Sequence, residues 1–147
     1  MKSRLAAARR ELSDRAAIHD ILLSYAAGVD RRDLARVASL FVAGAPYEGA
    51  LGVGTIETAL AGLASRWGRY DQTLHWIAHQ LIEVAGDRAC SETYAVAYHL
   101  LKQAPPANFV VGVRYLDELA RRGNGWLISR RVVTSEWQHH ELIGDRP

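Results

Sequence analysis

His75 lies in the run Thr73-Leu74-His75-Trp76-Ile77-Ala78-His79, a stretch with the two-residue alternation of a strand and apolar residues on both faces. An imidazole in such surroundings must find a hydrogen-bond partner, and its protonation can be tuned through neutral pH. It is therefore either a satisfied core histidine or a general base. Asp30 closes the first helical segment, just after an apolar turn that includes Tyr25. A carboxylate at a helix C-terminus meets the unfavourable end of the dipole, so helix stability does not account for it. One reading is a solvated terminal residue. The other is a partnership, because a carboxylate that accepts from one imidazole nitrogen fixes the tautomer and makes the other nitrogen a better base. Asp30 with His75 would form such a pair, although sequence spacing alone does not bring them together.

Other candidates surround this pair. On the next strand Thr93, Ala95, Ala97, His99 and Leu101 share a face, and the small Ala95 and Ala97 beside His99 suit either a pocket wall or close helix-to-sheet packing. Arg130 and Arg131 alternate on the last strand, so one of them points inward and needs a carboxylate, a carbonyl or a substrate anion. The spacing His75-x-x-x-His79 is that of two helical zinc ligands, but on a strand the two residues stand about 13 Å apart, too far to share a metal. His139-His140 is expected at the surface. Gly49 to Gly54 lacks the spacing of a dinucleotide fingerprint, and no nucleophile elbow is present. Cys90 is the only cysteine, which excludes an intrachain disulfide, and it lacks the cationic surroundings that activate a thiol.

The elements that must position these groups follow from periodicity. Ile18, Ile21, Leu22, Tyr25 and Val29 recur at helical spacing, with Ser13 or Asp14 as the expected N-cap and Gly28 near the expected break. Asp33 caps a short second helix and Thr55 a third, about residues 56–67, with a short strand expected around 47–51. After residue 72 the period changes to two: strands are expected over 73–84, 89–102, 109–119 and 126–137, punctuated by Ala85-Gly86-Asp87-Arg88 and Arg122-Gly123-Asn124-Gly125. On the first of these, strict alternation puts His75, Ile77, His79 and Leu81 on one face, and both faces should be covered. Helices followed by an antiparallel meander make an α+β fold, a curved sheet around the helices with room for a pocket.

Composition sets the class. The chain has 147 residues, 49% of them hydrophobic and 23% charged, which suits one globular domain with a real core. Eighteen basic against 16 acidic residues leave a net charge of +2, dispersed along the chain, which is no footprint for nucleic acid. No apolar stretch approaches the roughly 20 residues of a membrane span, and the first residues lack a signal-peptide core, so a cytoplasmic protein is expected. Apolar residues on both faces of the sheet point to a homo-oligomer.

The residues Asp14-Arg15-Ala16-Ala17-Ile18-His19-Asp20, Tyr25 to Asp30, Asp33, Leu40-Phe41, Thr73-Leu74-His75, Gly86-Asp87-Arg88-Ala89, Tyr115 to Leu119, Gly125-Trp126 and Arg131, in that order, resemble the SnoaL-like branch of the nuclear transport factor 2-like superfamily. The resemblance covers about residues 12–137 and is nearest in pattern to its dehydratases and dehydrochlorinases. It implies a cone-shaped barrel, a mostly apolar cavity for a cyclic hydrophobic small molecule, no cofactor or metal, and assembly as a trimer or dimer. In the eliminating members the base would be His75 and its orienting carboxylate Asp30. Tyr25 stands where the dehydratases carry a tyrosine and the dehydrochlorinase a lysine. His99 and Arg131 would polarise the substrate or protonate departing hydroxide. The expected activity is a dehydratase-like lyase. The rivals are a polyketide cyclase or ketosteroid-type isomerase on the same cavity, or a non-catalytic binding protein.

Overall fold

The computed structural model describes residues 2–103 and 105–142. Helices α1 (Lys2–Asp30) and α2 (Leu34–Ala38) precede a hairpin, β1 (Pro46–Gly49) and β2 (Gly52–Thr55). Helix α3 (Ile56–Arg66) follows, and a single 3-10 turn, Trp67–Arg69, leads into four long strands: β3 (Tyr70–Ala85), β4 (Arg88–Leu101), β5 (Ala107–Arg122) and β6 (Gly125–Leu142). They form one six-stranded sheet in the order β2-β1-β6-β5-β4-β3. Every neighbouring pair is antiparallel except β1 with β6. The α+β architecture is the one expected. The sheet keeps two edges, β2 and β3, so hydrogen bonds do not close the expected barrel. Among the described residues no helix is long and apolar enough to cross a membrane.

Helix α1 buries Ile18, Ile21, Leu22, Tyr25 and Val29, the stripe its periodicity predicts. Its start is different. The helix begins at Lys2 and runs through Ser13 and Asp14, which therefore cap nothing. The preceding Ala-, Leu- and Arg-rich residues are good helix formers, and Asp14 has a tertiary role instead. It is 7% exposed. It accepts from Arg121 Nη1 and Nη2 at 2.9 and 2.8 Å and from the Trp126 indole N–H at 3.1 Å, clasping α1 to the β5–β6 turn. Gly28 does not break the helix. A Cβ there would lie 2.7 Å from Val37 Cγ2, so glycine lets α2 pack against α1 while the helix continues to Asp30. Asp33 caps α2 as expected, its carboxylate accepting from the Arg36 N–H at 2.9 Å. Thr55 occupies the N-cap of α3 without making a capping bond from its side chain.

Of the four register shifts among the described strands, two decide the facing of candidate site residues. The β3–β4 register passes from Ile77 opposite Ala95 to Gln80 opposite Thr93, so β3 holds one extra residue at Ala78-His79. Thr73, His75 and Ile77 point inward before this bulge, and Gln80, Ile82 and Val84 after it. His79 therefore does not share a face with His75; it is exposed, stacked on Tyr94 at 4.1 Å between ring centroids. A second bulge, at Ser129, places Ile128 and Arg131 inward and Arg130 outward. The outer face is not covered within the chain as expected: Leu74, Trp76, Leu81 and Trp137 stand exposed there. His139, His140 and Cys90 are also exposed.

Candidate active site

The end of α1 is fixed to the start of β3 by the backbone. Arg32 adopts φ 59°, a left-handed conformation that ends the helix, and the Asp33 N–H reaches back to the Gly28 carbonyl at 2.8 Å. The Arg32 guanidinium then donates to the carbonyls of Tyr70 and Asp71 at 2.8 and 3.3 Å. This tie brings the last helical residue, Asp30, alongside Thr73 and His75. Its carboxylate accepts three hydrogen bonds: from the His75 backbone N–H at 2.9 Å, from the Thr73 hydroxyl at 2.9 Å and from His75 Nδ1 at 2.7 Å. Burial opposes the Asp30 charge, but the bonds from His75 and Thr73 outweigh it and hold the carboxyl below its ordinary range. An ionised carboxylate only accepts, so the proton shared with it sits on His75 Nδ1, which leaves Nε2 of the neutral ring with its lone pair free. The two side chains are 9% and 19% exposed, screened from water but not sealed.

His75 forms part of the wall of a cavity of about 300 Å³ between α1, α3 and the inner face of the sheet. The wall is largely apolar, with Val29, Leu51, Leu63, Phe109, Val111 and Val133, and four tyrosines, Tyr25, Tyr47, Tyr70 and Tyr115, also line it. Ala97, directly across the strand pair from His75, leaves the room that its small side chain predicts. The volume is at the lower end of the range for ligand sites, about 300–1,000 Å³. A dry cavity of about 150 Å³ holds benzene, so this one suits a substituted ring or two fused rings.

His99 also lines the cavity, its ring centroid 5.8 Å from that of His75. Its Nδ1 donates to the Phe109 carbonyl at 3.2 Å, since a carbonyl offers no proton in return. Burial, and then the charge His75 acquires on protonation, lowers the His99 pKa from 6.5. The ring is thus neutral near pH 7 with Nε2 as an acceptor. It cannot protonate a leaving group in that state, but it can receive a hydrogen bond from a substrate hydroxyl.

Arg131 does not line this cavity. It lies behind Tyr25 and Tyr115, fully buried, with its guanidinium over both rings at 4.2 and 4.7 Å and over Phe41 at 5.2 Å. Asp117, opposite it across the strand pair, accepts from Nε at 2.7 Å and from Nη2 at 2.8 Å. The partner that an inward arginine needs thus comes from within the chain, as the Asp117 carboxylate. Burial raises the Tyr25 pKa, and the Arg131 charge opposes that rise, making the phenol a stronger hydrogen-bond donor than burial alone would leave it. Tyr47, Tyr115, Thr73 and Arg66 are site residues that sequence reasoning missed. Asp117 was findable, because it alternates with Tyr115 and Leu119 on the inner face of β5. Among the described residues no group of three or more His, Cys, Asp and Glu side chains is placed to hold a metal.

This constellation, an imidazole oriented by a helix-terminal carboxylate beside a tyrosine-lined pouch, coincides with a sequence match to the SnoaL-like domain model over residues 10–132. The chain belongs to the SnoaL-like family. The type 2 hexachlorocyclohexane dehydrochlorinase LinA is similar to this SnoaL-like protein at 25% identity, with a TM-score of 0.80 over 93% of this chain and 95% of that one. LinA-type3 from Novosphingobium barchaimii shares 23% identity at a TM-score of 0.80, over 93% and 97% of the two chains. A scytalone dehydratase-like protein from Novosphingobium aromaticivorans shares 18% identity at 0.78, over 92% and 91%. No curated protein sequence matches this chain.

Proposed function

We propose that this SnoaL-like protein is a lyase that eliminates water, or a comparable leaving group, from a cyclic hydrophobic small molecule, using its own side chains. The observation that carries the reading is the 2.7 Å contact of Asp30 with His75 Nδ1 at the wall of the cavity. His75 Nε2 takes a proton from an activated C–H, and Asp30 stabilises the imidazolium that forms. The C–H electron pair becomes the new double bond while the bond to the leaving group breaks with its electrons. If the leaving group is hydroxide, the proton held by His75 returns to it, and water departs. Tyr25 donates a hydrogen bond to the carbonyl or the departing oxygen. His99 accepts from a substrate hydroxyl. Arg131 acts as a positioning residue, holding Tyr25 and Tyr115 from behind. The dehydrochlorinase and dehydratase-like neighbours support elimination over the other chemistries this fold hosts.

A panel of cyclic β-hydroxy and β-halo carbonyl compounds, followed by mass spectrometry, tests this directly. Loss of water or hydrogen halide is expected, and His75→Ala should lower turnover by about 10²–10⁴-fold or more while the protein stays folded. A product of unchanged mass would identify an isomerase or cyclase instead. Full activity of the alanine variant on a turned-over substrate would remove His75 from the mechanism.

A further inference from the structure

Among the described residues, the permanent charge on the cavity wall is that of Arg66. Asp30 stands behind His75 and is not among the lining residues, and Arg131 stands behind Tyr25 and Tyr115 with Asp117 as its counter-ion. Arg66 ends α3 and is half-buried. One of its nitrogens, Nη2, donates to the Ala50 carbonyl at 2.7 Å. Among the described residues its other N–H groups have no protein acceptor, and no carboxylate lies within 4.0 Å of it. Its charge is felt at Tyr47 and His99, where it opposes protonation, so it acts across the pouch. The helix dipole explains a cation in the last turn of α3. It does not by itself account for an arginine on a largely apolar pouch wall with no carboxylate partner, where a ligand anion would complete its hydrogen bonding.

We infer that the substrate is an anion, a cyclic hydrophobic carboxylate whose carboxyl group is held by Arg66 while its ring fills the apolar pouch. A planar guanidinium with free N–H groups matches a carboxylate in a two-point fork, which a point charge does not. The inference rests on the reading of this pouch as the substrate site and adds the substrate class to it. It also assigns division of labour: binding charge on the α3 side, proton abstraction on the β3 side.

Binding of 2-naphthoate and of its neutral isostere 2-naphthamide, measured by isothermal titration calorimetry on the intact protein, tests the assignment without any turnover. The carboxylate should bind about tenfold tighter or better, the usual worth of a hydrogen bond to a charged group. Arg66→Gln and Arg66→Met should each abolish the preference, and Arg66→Lys should restore part of it. His75→Ala should leave the preference intact, which separates failure of this inference from failure of the catalytic reading. Equal affinity for the two compounds, tighter binding of the amide, no binding of naphthoate, or a preference that survives in both neutral variants overturns it.

Discussion

Asp30→Asn changes one atom type at the centre of the site, and the structure dictates how the amide must turn. The carboxylate oxygen Oδ2 accepts from the His75 backbone N–H, which can only donate. In the variant the amide oxygen must therefore keep that place. The amide NH₂ then occupies the place of Oδ1, facing His75 Nδ1 and the Thr73 hydroxyl. Thr73 can reverse its role and accept, but His75 can accept only by giving up its Nδ1 proton. In the native protein a charge-assisted bond, contributing about 1.5–3 kcal/mol, favours the Nδ1–H form roughly 10- to 150-fold. In the variant a neutral amide donor favours the opposite tautomer by about 0.5–1.5 kcal/mol, leaving the base-competent form at roughly a third or less. With the imidazolium also deprived of its counter-charge, turnover should fall by about 10²–10⁴-fold. The assay need not await a substrate. Long-range nitrogen–proton NMR correlations of labelled imidazoles, in mildly alkaline buffer, report which ring nitrogen carries the proton. Nδ1–H in the native protein and Nε2–H in the variant are expected, with the fold retained. An unchanged tautomer in Asp30→Asn, or a native ring already protonated on Nε2, would refute the reasoning.

Asp14→Ala removes the acceptor of the Trp126 indole and of Arg121, and the orphaned buried indole N–H alone costs about 1–3 kcal/mol. Thermal unfolding should show a fall of about 2–4 °C for each kcal/mol, and a melting temperature equal to that of the native protein would show that the clasp contributes nothing. His99 has a folded-state pKa lowered from 6.5, chiefly by burial and then by His75, so the unfolded chain binds the proton first. Its contribution to stability is present above pH 6.5 and is lost as pH falls through the lowered folded value. Urea unfolding at a series of pH values should show that decline, and His99→Gln should flatten it; an identical slope in the variant would remove His99 as its source.

The parts of this molecule that periodicity governs were legible in the sequence. The inward stripe of α1 follows from 3.6 residues per turn, and the four long strands follow from alternation interrupted by glycine-containing turns and by the Pro105-Pro106 break. What was not legible depends on single insertions and distant partners. The bulge at Ala78-His79 adds one residue to β3 without a glycine or proline to announce it, and it reverses the facing of everything beyond Ile77. Asp14 has the residue type of an N-cap, yet its partners lie more than a hundred residues away on β5 and β6.

The site shows the same division. Asp30 and His75 were each visible as residue types that local structure did not explain, but their meeting depends on Arg32, whose left-handed turn and reach to the Tyr70 and Asp71 carbonyls look from the sequence like an ordinary polar loop. Arg131 shows how a correct local inference can yield a wrong neighbour. An inward arginine does need a polar partner, and a carboxylate, a carbonyl or a substrate anion would each have served. The strand register gives it Asp117. That pairing neutralises Arg131 in the core, so among the described residues the permanent positive charge on the pouch wall comes from α3, as Arg66, and not from the last strand.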